Sequence, residues 1–292
     1  MTRHAHPHAL EPLIDHWFAR GPEAIGNSEA LRTFERLRDE LEDGTIRAAE
    51  PDPSTPTGWR VNTWVKRGIL LGFRIGTLVA MNGSNPVARP ILSFVDKDTF
   101  PIRRFRPEDN IRIVAGGTAV RSGAFLAQGV IVVPPAYINT GAYVDEGTLV
   151  DSHALVGSCA QIGKRVHLSA AAQIGGVLEP INASPVIIED DVLVGGNTGV
   201  YEGTIVRTRA VLAAGVILTR GTPVYDLPKN TILKATPGSP LIIPAGAVVV
   251  AGSRAIQHGY GKDLGLSVYT PIIVKYRDEK TDLSTTLEDL LR

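Results

Sequence analysis

Residues 142–168 read AYVDEGTLVDSHALVGSCAQIGKRVHL, and the spacing of their apolar residues decides the fold. Val144, Val150, Val156, Ile162 and Leu168 recur at every sixth position. A helix needs a period of 3.6 and an isolated strand a period of two, so a step of six fits neither. Carried outward, the step takes in Val114, Val120, Leu126, Val132 and Ile138 upstream and Ile174 downstream. It breaks there, resumes at Ile188, and continues through Val194, Val200, Val206, Leu212, Leu218 and Val224. The residue four places after an apolar site is usually small, as at Ala124, Ala136, Ala142, Thr148, Ala154, Ala160, Thr198, Thr204 and Ala210. Such a pattern predicts short strands joined by tight turns and wound into a parallel β-helix. Rungs stack about 4.8 Å apart, apolar ladders point inward, and small residues take the cramped corners. The class with three hexapeptides per rung is left-handed, against the usual crossover rule. A sandwich would show irregular spacing and hairpin turns.

Outside the repeat the pattern changes. Residues 9–50 read as helical, with Ser28 as N-cap and Gly44 as stop for SEALRTFERLRDELEDG. GWRVNTWVKRGILLGFRI predicts a short strand and then a helix, and NGSNPVARP a loop. IIPAGAVVVAGS adds a rung through Ile243 and Val249, SVYTPIIVKYR is a strand, and STTLEDLLR a closing helix capped by Ser284. The predicted fold is therefore mainly β, in three parts. Residues 1–112 form a mixed, mostly helical domain, 113–253 the left-handed parallel β-helix with a loop insertion at 175–187, and 254–292 a small strand and helix extension. The insertion accounts for the register break, since Ile174 and Ile188 are fourteen residues apart rather than six.

Composition narrows the function classes. Lys+Arg and Asp+Glu balance at 30 each, so no net field draws the chain to nucleic acid or an anionic membrane. One cysteine fits a reducing compartment, and no apolar run is long enough to span a bilayer, so a cytoplasmic protein is expected. HAHPH near the N-terminus reads as a frayed tail, and no metal site is expected. Cys159 reads as a small core residue, and GSCAQIGKR lacks P-loop spacing. Asp151 follows an inward valine and so points outward, with Asp145, Glu146, Ser152 and His153 close in sequence. His153 and His167 are candidate general bases, and Arg112 could take a carboxylate in a bidentate grip. Rung phase puts Val150 and Val200 on different sides of the coil, so Asp151 and Glu202 can share a groove only if coils pack side by side, as in a trimer.

The motifs AYVDEGTLVDSHALVGSCAQIGKRVHLS, QIGGVLEP, IIEDDVLVGG, VYEGTIV and VVVAGS resemble those of the tetrahydrodipicolinate N-succinyltransferase family, and the likeness covers most of the chain. The resemblance implies a homotrimer with sites between subunits. It implies succinyl transfer from succinyl-CoA to the amine of an amino dicarboxylate in the diaminopimelate and lysine pathway, with no permanently bound cofactor. The family's substrate-binding positions fall on Arg112, Asp151 and Ser169, with Asp151 and Glu202 as the catalytic candidates. CoA would lie along Gly175 and the Ala213, Ala214, Gly215 rung, bordered by the GGVLEP loop. Departures fall near the implied pocket: Gly199 replaces a family glutamate, Ala170-Ala171 a glycine pair, and His153 a tryptophan. The chemistry then rests on Asp151 with Glu202, or on Asp151 alone. Acetyl transfer from acetyl-CoA, as implied by a tabtoxin-pathway relative, is the alternative. A succinyl donor calls for a cation, with Arg207, Arg209 and Arg220 as candidates. A non-catalytic scaffold is the competing class, but ice binders show threonine ladders and none is visible.

Overall fold

A computed structural model describes residues 8–81 and 94–278. The predicted β-helix is present as a three-sided coil of two-residue strands. Its first face stacks Arg112–Ile113, Ile131–Val132, Leu149–Val150, His167–Leu168, Leu193–Val194, Val211–Leu212 and then the longer strand Ala247–Ala255. The second face stacks Ala119–Val120, Tyr137–Ile138, Leu155–Val156, Gln173–Ile174, Gly199–Val200 and Ile217–Leu218. The third stacks Phe125–Leu126, Tyr143–Val144, Gln161–Ile162, Ile187–Ile188, Ile205–Val206 and Ile242–Ile243. In every two-residue strand of the coil from Phe125–Leu126 on, the second residue is the inward one, and from Val132 to Leu218 these residues are completely buried in one continuous core. The corner residues Ala124, Thr148, Ala160, Thr198 and Thr204 are equally buried. Their hydroxyls stay satisfied, as when Thr148 donates to Gly163 O at 2.8 Å and accepts from Val166 N at 3.1 Å.

The coil starts one residue earlier than the six-step places it. Ile113, not Val114, pairs with Val132 and packs on the core. Gly116 and Gly117, at φ 144° and 94°, absorb the extra residue before Val120 takes up the regular register. At the other end, Ala247–Ala255 runs through residue 253 and pairs antiparallel with Ser267–Tyr276, the predicted C-terminal strand. The predicted loop 82–90 and the closing helix at 284–292 lie outside the described residues.

The N-terminal part is built on three helices, α1 (Glu11–Ala19), α2 (Ser28–Glu42) and α3 (Thr63–Ile75). Asn27 caps α2, its Oδ1 accepting from Glu29 N at 2.8 Å and Ala30 N at 3.1 Å. Ser28 is already helical, so the expected cap lies one residue too late. Gly68 and Gly72 let α3 press against α2: a Cβ at either would lie 2.1 Å from Leu37 or Phe34. His8 is part of this packing, stacked on Trp64 at 5.6 Å.

This helical unit covers the third face of the coil. Ala49, Trp59 and Val61 pack on Ile187, Ile205 and Ile242. Arg47 lies 3.6 Å over the Tyr143 ring and donates to Gln161 Oε1 at 3.0 Å. Cys159 is buried as expected, but in the helical core beside Ile69 rather than in the coil, because its corner turns left-handed at φ 67°. Burial pushes its thiol up to about 12. The thiolate is the reactive form, so the folded chain should not react with a disulfide reagent near pH ~8 and should react once denatured. Rapid labelling of folded protein in a colorimetric thiol assay would contradict this burial. Among the described residues, no helix is long and apolar enough to cross a membrane.

Candidate active site

A rung needs three hexapeptides, so residues eighteen apart in an uninterrupted stretch share a corner. Between the first and second faces this places Asp151 and Ser169 in one column, continued beyond the insertion by Gly195 and Ala213. Neighbouring rungs are about 4.8 Å apart. Asp151 donates its N–H to Leu168 O at 2.9 Å, and its Oδ1 accepts from Ser152 N at 2.7 Å. Asp151 is half-buried, and its Oδ2 has no hydrogen-bond partner among the described residues. His153 is exposed beside it, in a left-handed turn at φ 62°. Arg112 sits exposed on the first face, two rungs below Leu149, with no ion pair among the described residues.

The opposite edge of the second face carries the other candidates. Gly175 and Tyr201 occupy this corner column, and Glu202 follows. Glu202 Oε2 accepts from Arg220 N at 2.7 Å. Glu202 and Gly203 are both left-handed, at φ 54° and 73°, where the neighbouring corners have one such residue each, Asn197 and Arg209. As the rung phase predicts, Val150 and Val200 lie on different faces. Within one chain, then, Gly175 and Glu202 do not meet Asp151, Ser169 or the Ala213 to Gly215 rung. Nor do Asp145 and Glu146 join Asp151 in one polar patch. Six residues are a third of a turn, which leaves them at the far edge of the first face, where Glu146 pairs with Lys164 at 3.2 Å.

The three candidate arginines separate cleanly. Arg207 is committed, to Glu189 at 2.5 Å and to Thr57 O at 2.6 Å. Arg209 is at the third corner, away from both columns. Arg220 alone lies beside Glu202.

The inserted loop leaves the coil where Gly175-Gly176 crosses Gly157-Ser158, so closely that a Cβ on Gly157 would stand 2.1 Å from Gly176 N. Its Leu178 packs against the helical core, the carbonyl of Ala183 accepts from Lys66 Nζ, and Ser184 lies against Gly203. Lys66 is wholly buried, and burial lowers its ammonium pKa. The helical unit therefore holds the loop against the Tyr201–Gly203 corner. Sequence reasoning missed Lys66 and Tyr201. A lysine inside an apolar helical stripe was the available signal for the first.

Hexapeptide rungs with an offset loop and outward polar residues on two corners place the chain in the hexapeptide-repeat class of β-helices. A family model described as hexapeptide repeat of succinyl-transferase matches residues 185–220, and one described as tetrahydrodipicolinate N-succinyltransferase N-terminal matches residues 9–75. The chain belongs to the tetrahydrodipicolinate N-succinyltransferase family. It is 40% identical over 97% of its length to the 2,3,4,5-tetrahydropyridine-2,6-dicarboxylate N-succinyltransferase of Albidiferax ferrireducens, covering 98% of that protein. The namesake from Paracidovorax citrulli is 41% identical over 90% of each chain. A crystal structure of a Campylobacter jejuni protein shares the fold, with TM-score 0.50 and 19% identity over 87% of this chain and 64% of that one.

Proposed function

We propose that the protein transfers a succinyl group from succinyl-CoA to the amine of tetrahydrodipicolinate in its ring-opened amino form, a step of diaminopimelate and lysine synthesis. The similarity to enzymes named for this reaction, at 40% identity over 97% of the chain, carries the reading. The division of candidate residues between two corners supports a homotrimer, in which the Asp151 column of one copy faces the Glu202 corner of the next. Acceptor and thioester would meet in that cleft.

An α-amine has a pKa of about 7.7–8.0, so much of it is protonated at neutral pH. Asp151 Oδ2 holds the ammonium, receives its proton and leaves the lone pair aimed at the thioester carbonyl. Arg112 and Ser169, on the same side of the coil, grip the acceptor's carboxylates. The Ala213, Ala214, Gly215 rung leaves room for the pantetheine arm, and the Gly175 backbone borders its path. Arg220 is the cation for the succinyl carboxylate, with Glu202 holding its backbone. Alignment of the two substrates supplies much of the remaining acceleration.

The deciding experiment is thiol release from succinyl-CoA and from acetyl-CoA with the same acceptor. Succinyl-CoA should support turnover at least about tenfold faster, a difference of about 1.4 kcal/mol in the barrier. Preference for acetyl-CoA would move the protein to the acetyltransferase alternative. No acceptor-dependent release from either thioester would remove the assignment.

A further inference from the structure

The Tyr201 ring lies in a slot cut by two glycines. A Cβ on Gly175 would stand 2.7 Å from its Cδ1, and one on Gly199 would stand 2.5 Å from its Cε2 and 2.9 Å from its hydroxyl oxygen. Real side chains do not approach so closely, so the ring occupies the space that a residue at 199 would fill. Across the ring, the Gly199 position also faces Ile217 Cδ1, 3.0 Å away. The glycines thus fold the side chain back over the second face and fix its hydroxyl there, instead of letting it reach into solvent. Tyr201 is only partly buried, and its hydroxyl has no hydrogen-bond partner among the described residues.

Amide acyl transfer puts negative charge on the thioester oxygen, and that charge needs a donor. On this corner the N–H that follows each strand is already engaged in the coil. Gly157 N donates to Ile174 O at 2.8 Å, Gly175 N to Val200 O at 2.8 Å and Tyr201 N to Leu218 O at 2.9 Å. On the Asp151 column, Ser169 N and Ala213 N are bonded in the same way, at 2.9 and 2.8 Å. The Tyr201 hydroxyl adds a side-chain donor at this corner, placed beside the Gly199 position.

We propose that the Tyr201 hydroxyl, held over Gly199, donates the hydrogen bond to the thioester carbonyl oxygen as the amine attacks. This rests on the acyl-transfer reading above and names a group for it. The amine nitrogen bonds to the carbonyl carbon and the C=O π pair moves onto oxygen, where Tyr201 O–H meets it. The pair returns as the C–S bond breaks. The proton that Asp151 takes from the ammonium goes to solvent before attack, and the second proton, shed by nitrogen as the amide forms, passes by way of Asp151 to the departing thiolate, giving amide and free CoA thiol. Tyr201 keeps its own proton throughout.

Tyr201→Phe preserves the ring in its slot and removes only the hydroxyl. It should lower kcat about 10²-fold, as loss of one oxyanion donor does. KM for the acyl-CoA should stay within about threefold and the melting temperature should be unchanged, because the hydroxyl acts on the transition state. Gly199→Ala should also lower kcat, since its outward methyl must displace the ring while the inward ladder stays intact. Wild-type kcat in either variant, or a raised KM at unchanged kcat in Tyr201→Phe, overturns the proposal while the acyl-transfer reading stands. A wild-type protein without acceptor-dependent thiol release overturns both.

Discussion

Asp151→Asn is expected to lower kcat by about 10²- to 10⁴-fold, the range of a general base, while the assembly and the melting temperature stay as in the wild type. The substitution keeps the size of the side chain. Asparagine Oδ1 can still accept from Ser152 N, the 2.7 Å contact that shapes the turn. What disappears is the charge on Oδ2 and its ability to take a proton. The acceptor ammonium then loses its counter-charge and the amine its base, so both effects fall on turnover. Steady-state thiol release by purified protein, checked by size-exclusion chromatography, reads the outcome. Activity within threefold of wild type would take Asp151 out of the chemistry and leave its column as a binding surface.

The second large effect concerns the ladder itself. Leu168→Ala should cost about 2–5 kcal/mol of unfolding free energy, seen as a lower denaturation midpoint in urea. Leu168 is completely buried, on a rung between those of Val150 and Val194. A stacked coil has contacts only between neighbouring rungs, so a cavity in a middle rung weakens the interfaces above and below it. Flanking strands are two residues long and bonded on both sides, which leaves little freedom to collapse into the space. A loss under about 1 kcal/mol would mean that the inward side chains repack freely and the ladder is not close-packed.

Legibility in the sequence followed the locality of each signal. Inward positions could be read because the same hexapeptide environment repeats, so a single rule fixed Val120 through Leu218 and the eight-residue offset of the insertion. The rule fails at Val224, whose strand pairs with Ser267–Tyr276 while Ile243 takes the place stacked on Val206. Asp151 stood out because it directly follows an inward valine. Ile113 escaped that rule, since the coil's entry carries an extra residue at Gly116-Gly117 and the regular period does not apply there. Cys159 looked like part of the coil interior, yet its corner turns it into the helical core. Tyr201 was silent because its environment is made of two glycines that lie far apart in sequence and adjacent in space.

The sequence alone determined the coil, its three faces and the assignment of Asp151 and Glu202 to different sides. Each follows from a six-residue period that any two-residue strand and tight corner must obey. The tertiary structure alone decided that the helical unit seals the third face, that Lys66 ties down the inserted loop, that Arg207 is committed elsewhere, and that Tyr201 stands over Gly199. These depend on contacts between segments remote in the chain, and no local period encodes which distant side chain fills a given space.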